Sequence, residues 1–422
     1  MKINILMNLW TEIRKFGLDY VDFQTMIDNV DLLLRILTIT IYHSAPRAHF
    51  IFYIMTSLAG LIYFYVYTFS MVWMVFFRYN RKDLKGTFLA IALSFVSDIC
   101  ITKLTFMKLY SKEIKDTVDK FLKGYSKVIA NTRFAKNLHK NLKVVKRRAL
   151  VIWIFLVSDA VIFLVLPIIA PGRHFSIDSY LIYGLEPMTE TPNYEIATFC
   201  LTITTGFGVY TMASIAVYVI VVVGYNEAQL HALSVELRNV WEDSRNFYNN
   251  IKHRIKNKKH AVYIKEQIMN EFIRIRLKDV IKFHIASINL QHELDKEFRP
   301  IFVVEYTIMA LAIIAELLGG LENTYLVIPY TIVLILMDCL SGQRLIDACD
   351  DFERSLYFCR WENFNTSNQK TVLLMLMMSQ KTLMLSAGGF TKLNYNCLMV
   401  ILKSTYSTYT TLQSTVKKHT EL

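Results

Sequence analysis

Several features that would point to catalysis or metal binding are missing from this sequence. The chain has six cysteines in 422 residues, most of them in or beside apolar runs, and their spacing fits neither a disulfide framework nor a zinc site. It contains no H-E-x-x-H, G-x-G-x-x-G, G-x-S-x-G, Walker A or C-x-x-C motif, and its ten histidines are scattered. We therefore expect a protein that is not an enzyme and that uses no cofactor or metal.

Charged residues are also scarce, at 19% of the chain, below the roughly 25% of an average soluble domain. They fall in blocks between long uncharged stretches, whereas AVILMFWYC residues make up 54% of the chain. Such a composition excludes intrinsic disorder, a secreted mini-protein and a collagen-like fibre, and argues against a water-soluble globule. It is typical of a membrane protein with several spans.

A helix needs about 20 mainly apolar residues to cross a bilayer, and six stretches meet this requirement or come close to it. They are residues 50–77, 86–107, 149–170, 196–225, 298–319 and 325–341. A seventh candidate, residues 395–416, mixes apolar residues with many Ser, Thr and Asn residues. It is either a cytoplasmic amphipathic tail or a span that other helices shield from lipid and that faces water.

The distribution of Lys and Arg predicts the orientation of these spans. Residues 107–148 carry 13 of them, whereas residues 171–195 carry one. Because basic loops stay on the cytoplasmic side, the amino terminus is expected in the cytoplasm and, if the seventh span exists, the carboxyl terminus outside. A basic cluster at residues 78–85 would then lie outside, against the trend. The net charge of +12 comes mainly from the excess of Lys and Arg in the cytoplasmic loops, which face anionic inner-leaflet lipid. No nucleic-acid partner is expected.

The segments between the spans predict long cytoplasmic helices. Residues 112–148 and 225–298 repeat apolar residues at helical spacing among charges, and proline is absent from the second segment. Near the end of the chain, Gly388 and Gly389 permit a sharp change of direction between two helices, predicted at residues 371–386 and 395–416. The expected fold is all-α, with seven transmembrane helices and long helical extensions into the cytoplasm.

Ionisable residues inside the predicted spans are candidates for function because burying a charge is costly. Asp98, Asp159, Glu305, Glu316 and Asp338 are either paired structural groups or the lining of a pocket or water path. Lys103, near a cytoplasmic end, is expected to extend its ammonium group towards the water.

Aromatic residues are dense in the outer halves of several spans and predict an apolar pocket for a small volatile ligand. An interfacial aromatic belt, or packing between helices, explains any single one of them equally well. The predicted ligand-binding residues are Phe88, Phe95, Asp159, Phe163, Phe199, Ile203, Phe207, Tyr325 and Tyr330.

The carboxyl-terminal third resembles the insect odorant receptors. Residues 379–390 (SQKTLMLSAGGF) and 402–409 (LKSTYSTY) closely match the terminal signature of that family. Residues 338–342 (DCLSG), Leu356 and Tyr357 with Trp361, and residues 281–284 (IKFH) resemble its upstream elements. The motifs cover about residues 280–412, and before them the likeness is one of length and topology.

This resemblance implies a subunit of a tetrameric, odorant-gated, non-selective cation channel in the plasma membrane of an insect olfactory neuron. Residues 1–341 would form the ligand-binding region with six spans, and residues 342–422 a cytoplasmic helix plus the pore-lining seventh span. The implied partners are an odorant co-receptor, a small volatile and membrane lipid. By alignment with the family's pore helix, Leu412 falls at a hydrophobic gate. The other implied pore residues are Thr408, Thr411, Thr415 and Val416.

Some residues depart from the family pattern, and two other kinds of protein are considered. Ala213 and Ser214 stand where many relatives have Asp, and Gly342-Gln343 replaces a common Gly-Asn pair. The tail differs from that of the obligate co-receptor, which favours an odorant-tuning subunit. It also lacks the gustatory receptors' pattern of Thr-Tyr, five apolar residues and Gln-Phe. The alternatives are a gustatory-type channel of the same superfamily and a G-protein-coupled receptor with an extracellular amino terminus.

The predicted orientation is tested by epitope tags at the two ends of the chain. We expect an amino-terminal tag to bind antibody only in permeabilised cells, and a carboxyl-terminal tag to bind it on intact cells. The single N-glycosylation sequence, at Asn365, is expected to stay unmodified because it lies on the cytoplasmic side. Labelling of the amino-terminal tag on intact cells would contradict the predicted topology.

Overall fold

The protein is described by a computed structural model over residues 14–78, 84–254 and 261–420. It is mostly helical there, with irregular connecting segments and one short β-hairpin. The main helices are α1 (Phe23–Ile36), α2 (Phe50–Arg78), α3 (Leu84–Leu109), α4 (Ser111–Tyr125), α5 (Arg133–Ile169), α6 (Asn193–Ile251), α7 (Ala261–Gly319), α8 (Val327–Tyr357), α9 (Thr366–Ser379) and α10 (Tyr395–Thr420). Short helical turns lie at Lys252–Arg254, Leu321–Thr324 and Trp361–Asn363. The hairpin strands are β1 (Ser386–Ala387) and β2 (Thr391–Lys392).

Helix α1 shows how local sequence sets a boundary and a buried face. Asp22 caps its amino terminus, because the carboxylate accepts a hydrogen bond from the Thr25 amide at 2.8 Å. Apolar residues at helical spacing then face the interior. The Phe23 ring, fully buried, lies 4.2 Å from the Tyr225 ring of α6 between ring centroids. The amino-terminal helix is thereby attached to the centre of the bundle.

Helix α2 is α-helical over Phe50–Tyr63 and Ser70–Trp73 and π-helical over Phe64–Phe69 and Met74–Arg78. A π-helical turn displaces one backbone carbonyl from its usual partner, and such turns are frequent at functional sites. Here the Ser70 hydroxyl donates to the Tyr65 carbonyl at 2.9 Å. The altered turn therefore has its backbone partly satisfied by a side chain next to it.

Helices α6 and α7 each run for 59 residues without a break. At about 1.5 Å per residue each is roughly 90 Å long, against a hydrocarbon core of about 30 Å. As the sequence predicts, helix continues well past the apolar stretches. Helix α6 forms the centre of the fold and is buried almost all round from Thr211 to Leu230, packed against α5, α7 and α8. Its Gly224 lies so close to Val145 of α5 that an added Cβ would be 2.3 Å from Cγ1.

Among the described residues, five helices are long and apolar enough to cross a membrane, namely α2, α3, α5, α6 and α7. The predicted sixth and seventh spans coincide with the first half of α8 and with α10. That these two helices also cross the membrane stays a prediction.

The predicted break at Gly388 and Gly389 is a hairpin turn rather than a direct junction of two helices. Both glycines have positive φ, +63° and +80°, as a tight turn between β1 and β2 requires. The prediction of helix up to residue 386 is wrong, because α9 ends at Ser379. The Ser386 amide and hydroxyl instead donate to the Asp295 carboxylate of α7, at 2.7 and 2.8 Å, which holds the strand against that helix.

The residues just before α10, the predicted seventh span, lie against a glycine of α8. An added Cβ at Gly342 would lie 2.1 Å from the Leu393 carbonyl oxygen, a backbone atom that cannot rotate away. We expect Gly342→Ala to lower the melting temperature of the purified protein by several degrees, because the hairpin and α10 must separate from α8. Gly206→Ala is the matched control: this helical glycine has nothing within 4 Å of the added Cβ. An equal effect of both substitutions would contradict the close contact.

Candidate functional site

A cavity of about 80 Å³ lies among α2, α3, α5, α6 and the start of α8. The first four of these helices are long and apolar enough to cross a membrane. Since a single water needs about 10–15 Å³, the cavity has room for several non-hydrogen atoms. Its aromatic lining residues are Tyr63, Tyr67, Phe163 and Tyr330, and its polar ones are Ser97, Cys100, Asp159, Thr204 and Thr205. Among the described residues that line it, none is basic.

Two tyrosines of α2 form one wall of the cavity and are fixed by hydrogen bonds. The Tyr63 hydroxyl donates to the Ser97 carbonyl of α3 at 2.8 Å, and the Tyr67 hydroxyl lies 3.2 Å from Oγ1 of Thr205 in α6. Their rings meet edge to face with centroids 4.9 Å apart. Tyr67 belongs to the first π-helical turn of α2, which connects that irregularity with the cavity wall.

The structure brings together three of the nine predicted ligand-binding residues, Asp159, Phe163 and Tyr330, in the cavity. Phe207 lies just behind the wall, its ring centroid 5.8 Å from that of Tyr63. The others do not line it. Phe199 and Tyr325 are exposed, and Phe88, Phe95 and Ile203 are half-buried elsewhere on their helices.

Sequence reasoning missed the contribution of α2 and the small residues of α6. Tyr63 and Tyr67 are one helical turn apart, as are Thr204 and Gly208, so each pair lies on one face. Gly208 leaves room for Tyr63, whose ring atoms would be 3.2 Å from an added Cβ. The one-turn spacing within each pair is the sequence signal for this cavity wall, although the same spacing occurs in helices that only pack against their neighbours.

Asp159 is the acidic group of the cavity and has no hydrogen-bond or ion-pair partner among the described residues. The four other ionisable residues discussed above do have partners. Asp98 accepts from Thr68 at 3.3 Å, and Glu316 accepts from Thr331 at 2.9 Å. The sequence left open whether these residues are paired or line a pocket. Asp159 lines a pocket, and the other four are paired.

Lys103, Glu305 and Asp338 form what we call the buried charge cluster, which joins α3, α7 and α8. Lys103 Nζ lies 2.5 Å from Oε1 of Glu305 and 3.9 Å from Oδ2 of Asp338. The expectation that Lys103 extends to the water is wrong, because its side chain is 6% exposed. The two buried carboxylates offset the cost of removing the ammonium group from water, so that it can lie inside the bundle.

The segment between α5 and α6 covers the cavity's outer end. The Tyr180 hydroxyl donates to the Val66 carbonyl at 2.7 Å, and Tyr180 and Ile182 are buried against the helices. A second cavity of about 50 Å³ lies beneath this segment and shares Tyr67, Leu93 and Phe163 with the first. The shared side chains separate an outer chamber from an inner one.

The predicted pore residues lie on a part of α10 that little else covers. Thr405 is buried, but Thr408, Thr411, Leu412 and Thr415 are exposed in the single chain. The Val416 side chain falls outside the described residues. The threonine hydroxyls donate to carbonyls of the preceding turn, as Thr411 does to Ser407 at 3.0 Å. These side chains can therefore sit in an apolar setting and still offer oxygen atoms to water.

A sequence model of the family described as 7tm Odorant receptor matches residues 83–406, more than three quarters of the chain. The chain belongs to the odorant receptor family. It is accordingly a receptor rather than an enzyme, and the family resemblance inferred from its carboxyl-terminal third is confirmed. Membership does not distinguish an odorant-tuning subunit from a co-receptor.

Solved odorant receptor structures show the same fold. The insect olfactory receptor OR5 from Machilis hrabei superposes with a TM-score of 0.71 at 12% identity, over 92% of this chain and 97% of that one. The same receptor in complex with eugenol gives 0.70 at 11% identity, over 94% of this chain and all of the other. No curated protein matches the chain in sequence. The fold of this odorant receptor is thus retained at very low sequence identity.

The buried charge cluster gives a test of stability. Lys103→Met leaves Glu305 and Asp338 without their cation, and removing one partner of a buried pair costs about 3–5 kcal/mol. We expect a marked loss of folded protein and a lower melting temperature. The triple variant Lys103→Met, Glu305→Gln, Asp338→Asn removes all three charges and should recover most of the loss. If the triple variant is no more stable than the single one, the cluster does not act as an ion pair.

Proposed function

We propose that the chain is an odorant-tuning subunit of a ligand-gated, non-selective cation channel that works with a co-receptor in the plasma membrane of an insect olfactory neuron. The exposed polar face of α10 is the observation that carries this proposal. A span rich in threonine would be a poor lipid-facing helix, but its hydroxyls suit a helix that meets water and neighbouring subunits. Thr408, Thr411 and Thr415 would then line the pore, with Leu412 and Val416 forming an apolar constriction.

An exposed apolar surface next to α9 supports assembly with other subunits. Tyr357, Phe358, Leu373, Leu374 and Met377 are each 57–68% exposed, on the part of the chain predicted to lie in the cytoplasm. Contiguous apolar surface in water marks a protein interface. We propose that this surface is buried between subunits of a hetero-tetramer that includes the co-receptor.

The cavity is the proposed odorant site. The similar receptor from Machilis hrabei was solved with eugenol, a small volatile. By analogy, the rings of Tyr63, Tyr67, Phe163 and Tyr330 would enclose a volatile of similar size, which burial and shape would hold. Such a ligand favours the open channel only to the extent that it binds the open arrangement more tightly.

Contacts in the structure offer a route from cavity to pore. Cys100 lines the cavity one turn from Lys103, whose ammonium pairs with Glu305 of α7 and lies near Asp338 of α8. Helix α8 also packs against α10, and its Gly342 lies directly against the Leu393 carbonyl just before α10 begins. We propose that a shift of α3 at the cavity reaches the pore helix along these contacts.

The experiment that tests this function is whole-cell recording from cells that express the chain with and without an insect odorant co-receptor, with G-protein signalling blocked. A rapid cation current evoked by volatiles, and only when both chains are present, supports the proposal. Volatile responses that the blockade abolishes would contradict it and favour a metabotropic receptor.

A larger side chain at one cavity position should abolish the response. We expect Ala160→Phe to reduce the volatile-evoked current at least tenfold, because Ala160 is buried and lines the cavity. Val161→Phe is the matched control on the next residue of the same helix, since Val161 is 53% exposed and does not line the cavity. Surface expression of both variants is measured in parallel. Equal currents from the two variants would place the ligand elsewhere.

A further inference from the structure

We propose that the cavity selects volatile amines, whose ammonium group pairs with the carboxylate of Asp159. This inference rests on the proposed function of the cavity as the odorant site and names the chemical class of the odorant. It starts from a carboxylate without a partner in the middle of a span.

An unpaired carboxylate at this depth needs an explanation. Transfer of an isolated carboxylate from water to an apolar setting is very costly, and ionisable residues inside spans normally have a partner. Asp159 lies near the midpoint of the third span, and among the described residues it has neither an ion pair nor a hydrogen bond. Asp159 is partly buried and lines the cavity, so the ammonium group of a ligand there would supply the partner that the described residues do not.

No neighbouring side chain is free to supply that cation. Over the part of the chain that the structure describes, the residues that line the cavity include no Lys, Arg or His. Lys103 lies one turn from Cys100 of the lining, but its ammonium group is 2.5 Å from Glu305 and is also near Asp338. The single positive charge of Lys103 is thus already paired with two carboxylates and does not compensate that of Asp159.

The other walls of the cavity suit a cation. Tyr63, Tyr67, Phe163 and Tyr330 are aromatic, and aromatic faces attract ammonium groups by cation–π interaction. The Tyr63 and Tyr67 hydroxyls already contact Ser97 and Thr205, so these two rings contribute as aromatic surface. One carboxylate with several aromatic rings is a common composition for a site that binds an organic cation.

Hydroxyl groups that would recognise a neutral alcohol or ester are mostly occupied. The Thr204 hydroxyl donates to the Cys200 carbonyl at 2.8 Å, and Thr205 contacts the Tyr67 hydroxyl. An alkyl amine carries a positive charge at neutral pH, as the lysine side chain does. The cavity therefore favours an amine over an alcohol of the same shape, and it repels a volatile carboxylic acid.

The test is direct binding to the purified full-length chain in lipid nanodiscs, with empty nanodiscs as the blank. The probes are 2-phenylethylamine and 2-phenylethanol, which differ only in the polar group, measured at pH 7. We expect the amine to bind at least tenfold more tightly than the alcohol. Equal affinities would overturn the inference.

Two variants separate the charge from the shape of the site. Asp159→Asn should weaken amine binding roughly 10- to 100-fold, the value of a charge-assisted hydrogen bond, and leave the affinity for the alcohol within about threefold. Asp98→Asn is the matched control, an aspartate of another span that accepts from Thr68 and does not line the cavity. Loss of both affinities in Asp159→Asn, or of neither, would overturn the inference.

Two further measurements distinguish a failure of the proposed amine site from a failure of the proposed channel function. If Asp159→Asn does not fold, Asp159→Glu retains the charge and should retain the preference for the amine, and its loss would count against the inference. Binding of the amine without any current would contradict the channel proposal and support the site. Currents evoked by neutral volatiles, without amine binding, would overturn the site and support the channel.

Discussion

The ion pair between Lys103 and Glu305 is the contact on which the arrangement of the membrane part depends. Three ionisable side chains are buried there, and each stays buried at a tolerable cost only while its partner remains within reach. This condition adds a directional constraint on α3, α7 and α8 to the one that close apolar packing already imposes. Such a cluster tolerates a small number of discrete arrangements rather than a continuous range.

The position of the cluster fits the proposed influence of a small ligand on a distant pore. Cys100, one turn from Lys103, lines the aromatic cavity, and Gly342 of α8, one turn beyond Asp338, lies against the Leu393 carbonyl just before α10. A further constraint comes from α7, whose Asp295 and Arg299 bind the hairpin that precedes α10, the Arg299 carbonyl accepting from the Gly388 amide at 3.1 Å. Helix α10, the proposed pore helix, is therefore attached near its amino-terminal end to two of the three helices that hold the cluster. Its remaining length is exposed in the single chain, as a proposed shared pore requires.

Much of this architecture could be predicted from the sequence, and the exceptions have physical causes. The long apolar segments and the basic segments between them indicated where the helices lie, because lipid-facing and water-facing parts of a chain differ in composition. Lys103 was misplaced because its partners, Glu305 and Asp338, are more than 200 residues away in the chain. Tyr63 and Tyr67 were missed because the first span is apolar all round and nothing local marks its inner face. The strand at Ser386 replaces the predicted helix, and its hydrogen bond to Asp295 joins residues 91 positions apart, which no local pattern could reveal.

The most direct test of the account is cysteine accessibility along α10 in the assembled channel. Single cysteines at positions 405 to 415 would be treated with a charged, water-soluble thiol reagent during volatile-evoked current. The account predicts that modification at Thr408, Thr411, Leu412 and Thr415 blocks the current, whereas Thr405, which is 2% exposed, does not react. Currents unaffected by modification at every one of these positions would show that α10 does not line the pore.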